Sequence, residues 1–249
     1  MDIRQLILPA GVGLAHIKVY ADPGPDGVVC GGAHMHTVSS EIYYVLAGSG
    51  QLELLSVPGV QTLDLAPGQV VSFRPGVIHR LLNPNRDLQI LAIMQNGGLP
   101  ERGDFVLTFP PEVLNSPTAY STALQVASHA DALRRRDLAS QGFTTLKQAM
   151  LANPTAGQDL LRQFYRAASK LIAPKVDGFE WVLKSGPQAE LKESLDAVDF
   201  LRIGRTDYLE RARFAPINPS PAPGKPGLVG ELRSYALDES FLIEGTKIT

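Results

Sequence analysis

Cysteine, net charge and long apolar runs are all scarce in this chain of 249 residues, and each scarcity excludes a class of protein. The single cysteine, Cys30, excludes an intrachain disulfide and is typical of a reducing compartment. A formal net charge of -2 gives no electrostatic attraction to nucleic acid or to an anionic membrane. No run reaches the roughly 18 apolar residues of a membrane span, and the first five residues lack the basic start of a signal peptide. We therefore expect a cytoplasmic protein that binds neither nucleic acid nor membrane.

Histidine is also scarce, but three of the five histidines accompany a glutamate in a pattern that suits a metal ion. These four residues are His34, His36, Glu41 and His79. Imidazole nitrogen and carboxylate oxygen bind Zn, Fe, Mn, Ni and Cu, and four such ligands can fix one ion. Side chains two residues apart on a strand share a face, so His34 and His36 would point at one site. Glu41 opens an apolar strand-like run, and His79 follows the turn signal Arg74-Pro75-Gly76.

The alternative interpretation is that these histidines are ordinary core or surface residues, because short motifs also occur by chance. An H-x-H pair alone would not decide between the two. The glutamate and the third histidine, both in strand-like contexts, favour the metal site. His16 has no such neighbours in the sequence and is predicted to be structural.

Around these residues the sequence resembles the cupin family, which has two motifs of fixed spacing. The residues that fit the first motif are His34, His36, Glu41 and Gly48. Those that fit the second are Gly68, Gly76, His79 and Asn83. Val28 replaces the leading glycine of the first motif, and Arg74 replaces the proline of the second. Both departures concern turns, so all four ligand positions are retained over the stretch of resemblance, about residues 15 to 100.

The resemblance implies a mainly β fold of the cupin type, a double-stranded β-helix or jelly-roll barrel, that holds one divalent metal ion. The donor atoms favour Fe(II) or Mn(II), with Zn, Ni or Cu as alternatives. The resemblance does not select one reaction, because cupins include dioxygenases, decarboxylases, isomerases, lyases, cyclases, storage proteins and regulators.

Short β-rich segments separated by Gly, Pro, Asn and Asp recur through the first part of the chain. Strands are predicted at residues 14–20, 41–46, 51–57, 70–73, 79–82 and 88–94. Such spacing is typical of an antiparallel barrel or double-sheet jelly roll. We therefore expect a cupin β-barrel over residues 1–112.

Beyond that point the period of the apolar residues becomes helical. Helices are predicted at residues 118–136, 143–152, 158–172, 188–203 and 208–214. The basic run Arg134 to Arg136 is predicted to be a solvated helix face. We expect a helical C-terminal extension over residues 113–249, with a Pro-rich connector at 215–227.

The residues predicted to bind substrate surround the metal ligands and form a largely apolar pocket. They are Tyr43, Val45, Val77 and Leu81, with Arg74 in the turn before His79. Glu41 and Tyr43 are the candidate catalytic residues, since either could move a proton, although packing alone would also account for Tyr43. Arg74 could bind a substrate carboxylate over the mouth or could be a surface residue.

Three functions are consistent with the sequence. The first is a metal-dependent enzyme that acts on a small organic molecule as a dioxygenase-type oxidoreductase, with the redox step implied by the family resemblance. The second is a non-redox isomerase, lyase or cyclase that uses the metal as a Lewis acid. The third is a module that senses a small molecule without catalysis. A homodimer is expected as the default oligomer.

Overall fold

Two antiparallel β-sheets form the first part of the molecule in the computed structural model, which describes residues 8–211 and 216–237. The strands are β1 (Gly13–Val19), β2 (His34–Met35), β3 (Glu41–Ala47), β4 (Gly50–Ser56), β5 (Gly59–Leu65), β6 (Val70–Phe73), β7 (Ile78–Leu82), β8 (Gln89–Met94), β9 (Val106–Leu107), β10 (Ile217–Pro219), β11 (Lys225–Pro226) and β12 (Gly230–Leu237). Helices follow β9, and the last three strands return to the first sheet.

The seven-stranded sheet has the order β10-β12-β1-β8-β3-β6, with β11 paired to β12. The five-stranded sheet has the order β5-β4-β7-β2-β9. Apolar side chains from both sheets meet in one buried cluster, to which Ile17, Val45 and Ile90 contribute from the first sheet and Leu52 and Leu81 from the second. The two sheets therefore share a core, and a side chain that points inward from either one can meet side chains from the other.

Strand β3 shows how the sequence directs side chains into this core. Its residues alternate between buried and more exposed positions, with Glu41, Tyr43 and Val45 all facing inward. Alternation follows from the two-residue period of a strand. Because Glu41 occupies the first inward position, the strand delivers a carboxylate to a face that is otherwise apolar.

The six strands predicted from sequence in the first part of the chain are confirmed, and each boundary lies within one residue of the prediction. The sequence did not predict β5, in which most residues are exposed. It pairs with β4 along its whole length, from Gly50 opposite Leu65 to Ser56 opposite Gly59. Its apolar residues Val60, Leu63 and Leu65 do not keep a two-residue spacing, so the strand lacks the regular alternation that a sequence pattern can detect.

The helices are α1 (Pro111–Leu114), α2 (Pro117–Leu124), α3 (His129–Ala152), α4 (Pro154–Ile172), α5 (Val176–Ser185) and α6 (Pro187–Arg202). The helix predicted over 118–136 is interrupted, because Ser128 caps a new helix by accepting a hydrogen bond from the Asp131 backbone. Helix α3 then runs through the predicted gap at 137–142. None of the helices in the described ranges is both long and apolar enough to cross a membrane.

The sequence predicts that the basic run Arg134 to Arg136 on α3 is a solvated helix face, but only part of this run is exposed. The side chain of Arg134 is 71% exposed, whereas that of Arg136 is only 1% exposed. Arg136 points toward the β-sheets and donates hydrogen bonds to the backbone carbonyls of Asp22, Pro23 and Cys30. Three consecutive helical residues point in different directions, and the position of the neighbouring loop decides which one is buried.

The C-terminal part of the chain is not helical throughout, contrary to the prediction for residues 113–249. Strand β12 pairs with β1 from Ala15 opposite Ser234 to Val19 opposite Gly230, so it extends the first sheet. The predicted connector at 215–227 contains β10 and β11, although residue 215 lies outside the described residues. Of the predicted helix at 208–214, Leu209–Arg211 forms a 3-10 turn and residues 212–214 lie outside the described part. The division between residues 112 and 113 stays a prediction.

Candidate metal centre

Four buried side chains converge between the two sheets: His34, His36, Glu41 and His79. Each offers one ligand atom, and these four atoms all lie within 4.8 Å of one another. The Nε2 atoms of His34 and His79 are 3.2 Å apart. Oε2 of Glu41 lies 3.4 Å from Nε2 of His36 and 3.4 Å from Nε2 of His79. The four residues that the sequence singled out therefore form one cluster.

The strands account for this convergence. His34 on β2 and His79 on β7 are direct partners in the antiparallel ladder, which places their side chains side by side. His36 follows directly after β2, two residues beyond His34. Glu41 begins β3 in the other sheet, opposite Phe73 and Met94. The cluster thus joins the two sheets, with three imidazoles from one and the carboxylate from the other.

Backbone carbonyls fix the tautomer of all three imidazoles. Nδ1 of His34 lies 3.0 Å from the carbonyl of Gly32, and Nδ1 of His79 lies 3.1 Å from that of Val77. Nδ1 of His36 makes a short contact with the carbonyl of Asp104. A carbonyl oxygen can only accept, so each Nδ1 carries the hydrogen and donates it. Every Nε2 is thereby left with its lone pair toward the centre, as in protein sites where histidine binds a metal.

The electrostatics suit a cation. Burial lowers the pKa of His34 well below its usual value, and the neighbouring His79 and His36 lower it further, so this imidazole is neutral at pH 7. Burial by itself would raise the pKa of Glu41, but its close contacts and charge interactions with His36 and His79 outweigh burial and lower the pKa well below the ordinary range. The cluster therefore presents an ionised carboxylate beside imidazole lone pairs.

The donor atoms also fit a metal ion by geometry. Two ligand atoms that are each about 2.1 Å from one ion at a right or tetrahedral angle lie about 3.0 to 3.4 Å apart. The separations of 3.2 Å and 3.4 Å found here match that range. Oε2 of Glu41 is buried and accepts no hydrogen bond from any described residue. A buried carboxylate oxygen without a donor is costly, and a bound cation would satisfy it.

Asp104 supports the centre, although the sequence did not single it out. Its side chain is fully buried and accepts hydrogen bonds from the backbone amides of Thr37, Val38 and Ser39, as well as from the Thr37 hydroxyl. Its own carbonyl orients His36. Asp104 therefore fixes the turn that connects two ligands. It lies more than 60 residues from that turn along the chain, and no local pattern marks it.

Replacing Asp104 by alanine is expected to weaken metal binding by roughly 10- to 100-fold, the usual cost of losing a partner that orients a ligand. The change would free three amides and loosen the spacing between His36 and Glu41. Titration calorimetry with Zn²⁺ or Mn²⁺ measures the affinity. Asp64→Ala is the matched control, because Asp64 is exposed and its side chain accepts a hydrogen bond from Gln51, far from the ligand turn. Equal affinities for the Asp104 variant and the wild type would contradict the orienting role.

Metal affinity is expected to decrease as the pH is lowered. Burial opposes protonation of His36, but its close contact and charge interaction with Glu41 raise the pKa above its ordinary 6.5. His36 therefore takes up a proton before Glu41, whose pKa is lowered, and that proton competes with the metal. Affinity should be full above the pKa of His36 and decline by about tenfold per pH unit below it. Titrations from about pH 8 to about pH 5 would show this, and a constant affinity across the series would refute it.

Aromatic rings border the cluster on one side. The ring of Phe73 lies 4.2 Å from that of His79 and 5.1 Å from that of Tyr43, measured between centroids. Burial raises the pKa of Tyr43 well above its ordinary value, and the Glu41 carboxylate adds to this shift. Tyr43 is therefore a neutral phenol that keeps its proton at any physiological pH.

A cavity of about 100 Å³ opens onto the centre. His34, His36, Glu41 and Tyr43 contribute to its wall. The rest is mostly apolar and comes from β1, β8, β12 and the segment that leads into β12. Leu14, Ile17, Met94, Leu228, Val229 and Leu232 are among these residues. Glu101, Ser234 and Tyr235 add polar groups. The C-terminal strand therefore completes the cavity, which the sequence pattern did not reveal.

The other residues predicted to bind substrate are not among those that line this cavity. Val45 and Leu81 are fully buried in the core between the sheets. Val77 packs against the same core, and Arg74 is exposed in the turn between β6 and β7. Strand alternation places the first three residues on the faces of the ligands, but those faces extend into closed core as well as toward the opening. Of the five, Tyr43 alone borders the cavity.

Comparison with known proteins identifies the class of this site. Residues 23–94 match the family model described as Cupin domain. This segment holds all four residues of the cluster, and it is a cupin domain, as its two sequence motifs predict. No curated protein matches the sequence.

Solved structures that match part of this chain include a lyase, a ketoisomerase and a cupin protein. The DMSP lyase DddQ from Ruegeria pomeroyi DSS-3 is 25% identical over 41% of this chain and 45% of its own, with a TM-score of 0.31. WlaRA, a TDP-fucose-3,4-ketoisomerase from Campylobacter jejuni, is 17% identical over 32% and 57%, with a TM-score of 0.28. A cupin protein from Bacteroides fragilis is 19% identical over 33% and 62%, with a TM-score of 0.25. Each alignment thus spans less than two thirds of the other protein.

Proposed function

We propose that this protein is a metal-dependent cupin enzyme that acts on a small organic molecule. One observation carries the proposal: three imidazole lone pairs and an ionised carboxylate point at one spot, and a cavity reaches that spot. His34, His36, Glu41 and His79 would hold the ion. When bound, it would supply Lewis-acid or one-electron chemistry to a substrate in the cavity. We also propose that the two sheets enclose the site as a jelly-roll barrel, the form that the sequence predicts.

The protein's own groups have separate tasks in this proposal. The carbonyls of Gly32, Val77 and Asp104 keep the imidazoles in the orientation that binding needs. The apolar walls exclude water and so strengthen the electrostatic interactions inside. Tyr43 holds its proton and can donate a hydrogen bond to an oxygen that develops negative charge. We propose Tyr43 and Glu41 as the catalytic residues beside the ion.

The cavity indicates the class of substrate. No lysine or arginine occurs among the described residues that line it, and Glu101 is the one acidic residue there besides Glu41. A cavity of 150 Å³ holds benzene, so 100 Å³ suits about four non-hydrogen atoms, with more where the cavity opens to solvent. Both points favour a small, uncharged substrate, or the small uncharged end of a longer one, over a phosphorylated compound.

An oxygenase of dioxygenase type, with Fe(II) or Mn(II), is the first candidate reaction. The mixed nitrogen and oxygen donors support this choice, because such sets suit these two metals. Zn, Ni and Cu are the alternatives. The family likeness of the two motifs supports the redox step, since dioxygenases are among the cupins.

A non-redox isomerase, lyase or cyclase is the second candidate, and a specific observation favours it. Glu101 and Tyr235 line the cavity in addition to Tyr43, so several groups that can donate or accept a proton surround one substrate space. Proton transfer with a Lewis acid needs no oxygen. A sensor that binds the same molecule without turnover would use the same cavity and would leave the substrate unchanged.

The experiment that separates these candidates is turnover of a panel of small uncharged compounds by protein loaded with iron, manganese or zinc. An oxygen electrode and mass spectrometry of the products are read together. Oxygen consumed in proportion to product supports the oxygenase, and product formed equally well under nitrogen supports the non-redox enzyme. Binding without product for every metal would overturn the enzyme proposal and favour the sensor. Light scattering on the same samples tests the predicted homodimer.

A further inference from the structure

A second cavity, of about 260 Å³, lies among the helices and shares no lining residue with the cavity at the metal centre. It is enclosed by α1, α3 and α4, together with Phe109 just before α1. Its apolar lining includes Phe109, Leu114, Leu146, Leu160, Phe164 and Ala167. A space of this size between packed helices is unusual for a close-packed interior, where voids larger than a water molecule are few. Sites for small molecules do occur between helices.

Two cationic residues stand at the edge of this apolar space. Arg166 and Lys170 lie one helical turn apart on α4, so they share a face, and both line the cavity. Both are exposed, and neither forms an ion pair with any described residue. By contrast, Arg162 on the same helix is paired with Asp159. No aspartate or glutamate is among the described residues that line the cavity. The charged side chains of the lining are therefore both positive, and both lie on the α4 side.

We propose that this cavity binds a small amphipathic carboxylate: an aliphatic tail inside the apolar space and one carboxylate against Arg166 and Lys170. An arginine guanidinium binds a carboxylate through two parallel hydrogen bonds, and the lysine adds a second positive charge. Scaling from a cavity of 150 Å³ that holds benzene, 260 Å³ accommodates about ten non-hydrogen atoms. A saturated fatty acid of about eight carbons has this size.

Uncharged polar side chains also line the cavity. Asn115, Thr145 and Gln163 are the uncharged polar residues in the lining, and they can hydrogen-bond to a head group or to its water. The alternative occupants are less suited to this arrangement. A neutral hydrocarbon would gain nothing from the two cations, and a polar metabolite would gain little from the apolar lining. The proposal is independent of the reaction at the metal centre.

The test is titration calorimetry of the full chain with octanoate and with 1-octanol, which have the same tail and differ in the charge of the head. Because both cations are exposed and water weakens their attraction for a carboxylate, octanoate should bind roughly 3- to 30-fold more tightly than the alcohol. Arg166→Met combined with Lys170→Met should abolish this preference. Arg162→Met is the matched control on α4 and should retain it, because Arg162 does not line the cavity.

A second variant separates the cavity from the surface charge. Ala167→Phe fills the apolar space and should prevent binding of both compounds, and Gln163→Trp, at an exposed edge position, serves the same purpose if the first variant does not fold. Equal affinity for octanoate and 1-octanol would overturn the carboxylate assignment. Unchanged octanoate binding by a folded cavity-filling variant would overturn the site itself.

Discussion

Replacing His79 by alanine is expected to abolish stoichiometric metal binding. His79 lies 3.2 Å from His34 and 3.4 Å from Glu41 between ligand atoms, so its loss opens the centre of the cluster. Removing a ligand should cost more than the roughly 100-fold that the loss of an outer partner can cost. Elemental analysis of protein purified without added metal measures the content directly. His36→Ala should give the same result, because it removes another of the four donors.

Thermal unfolding gives a second measurement that does not depend on activity. A metal that binds the folded state stabilises it by mass action, by about 2.7 kcal/mol at a concentration 100 times the dissociation constant. Added Zn²⁺ should therefore raise the melting temperature of the wild type and leave that of His79→Ala unchanged. His16→Ala is the matched control, since His16 bonds to Gln89 away from the cluster. The metal site is ruled out if wild type and His79→Ala hold equally little metal and respond alike to Zn²⁺.

Replacing Arg136 by methionine is expected to lower the free energy of unfolding by about 3 to 5 kcal/mol. The guanidinium is buried and donates to the carbonyls of Asp22, Pro23 and Cys30 at 2.7 to 3.0 Å. Methionine fills similar space but leaves those carbonyls without donors. In a chain of this length the melting temperature should fall by roughly 10 °C. Circular dichroism on heating and in urea measures both quantities.

Two further variants on α3 test whether the loss of stability comes from the buried contacts of Arg136 or from the loss of a positive charge. Arg134→Met removes the same charge two residues earlier, from a side chain that is 71% exposed and forms a surface ion pair with Asp131. This variant should change the free energy of unfolding by no more than about 0.5 kcal/mol. Arg136→Lys keeps the charge but loses the planar set of hydrogen-bond donors. Its free energy of unfolding should lie between those of the two methionine variants. Equal stability of the methionine variants at 134 and 136 would show that the buried contacts contribute nothing.

The sequence predicted the ligand cluster because the relevant information is local. His34 and His36 are two residues apart, and Glu41 and His79 each begin or lie within an apolar run with turn residues nearby. Strand periodicity then fixes which face each side chain occupies. The same reasoning predicted six of the strands. It predicted that Val45, Val77 and Leu81 share the faces of the ligands, and in the structure these three pack in the core and do not line the cavity. Strand periodicity does not say where along a face the cavity ends.

The remaining features depend on residues that are distant in the chain. Asp104 supports a turn more than 60 residues away, and β12 pairs with β1 after more than 200 residues. Such pairs leave no mark on a local pattern, because only the folded chain brings them together. The edge strand β5 was missed for a different reason, since its three apolar residues do not keep a regular two-residue spacing.

By itself, the sequence determined a cupin domain with four candidate ligands, since each depends on residue type and short-range spacing. The tertiary structure alone decided what surrounds them: the carbonyls that fix the imidazole tautomers, the aspartate that fixes the ligand turn, and the C-terminal strand that closes the cavity. It also decided that Arg136 is buried while Arg134 is exposed. The physical reason is that burial and hydrogen-bond partners are properties of packing between distant segments, whereas the direction of a side chain along a strand is a property of the strand.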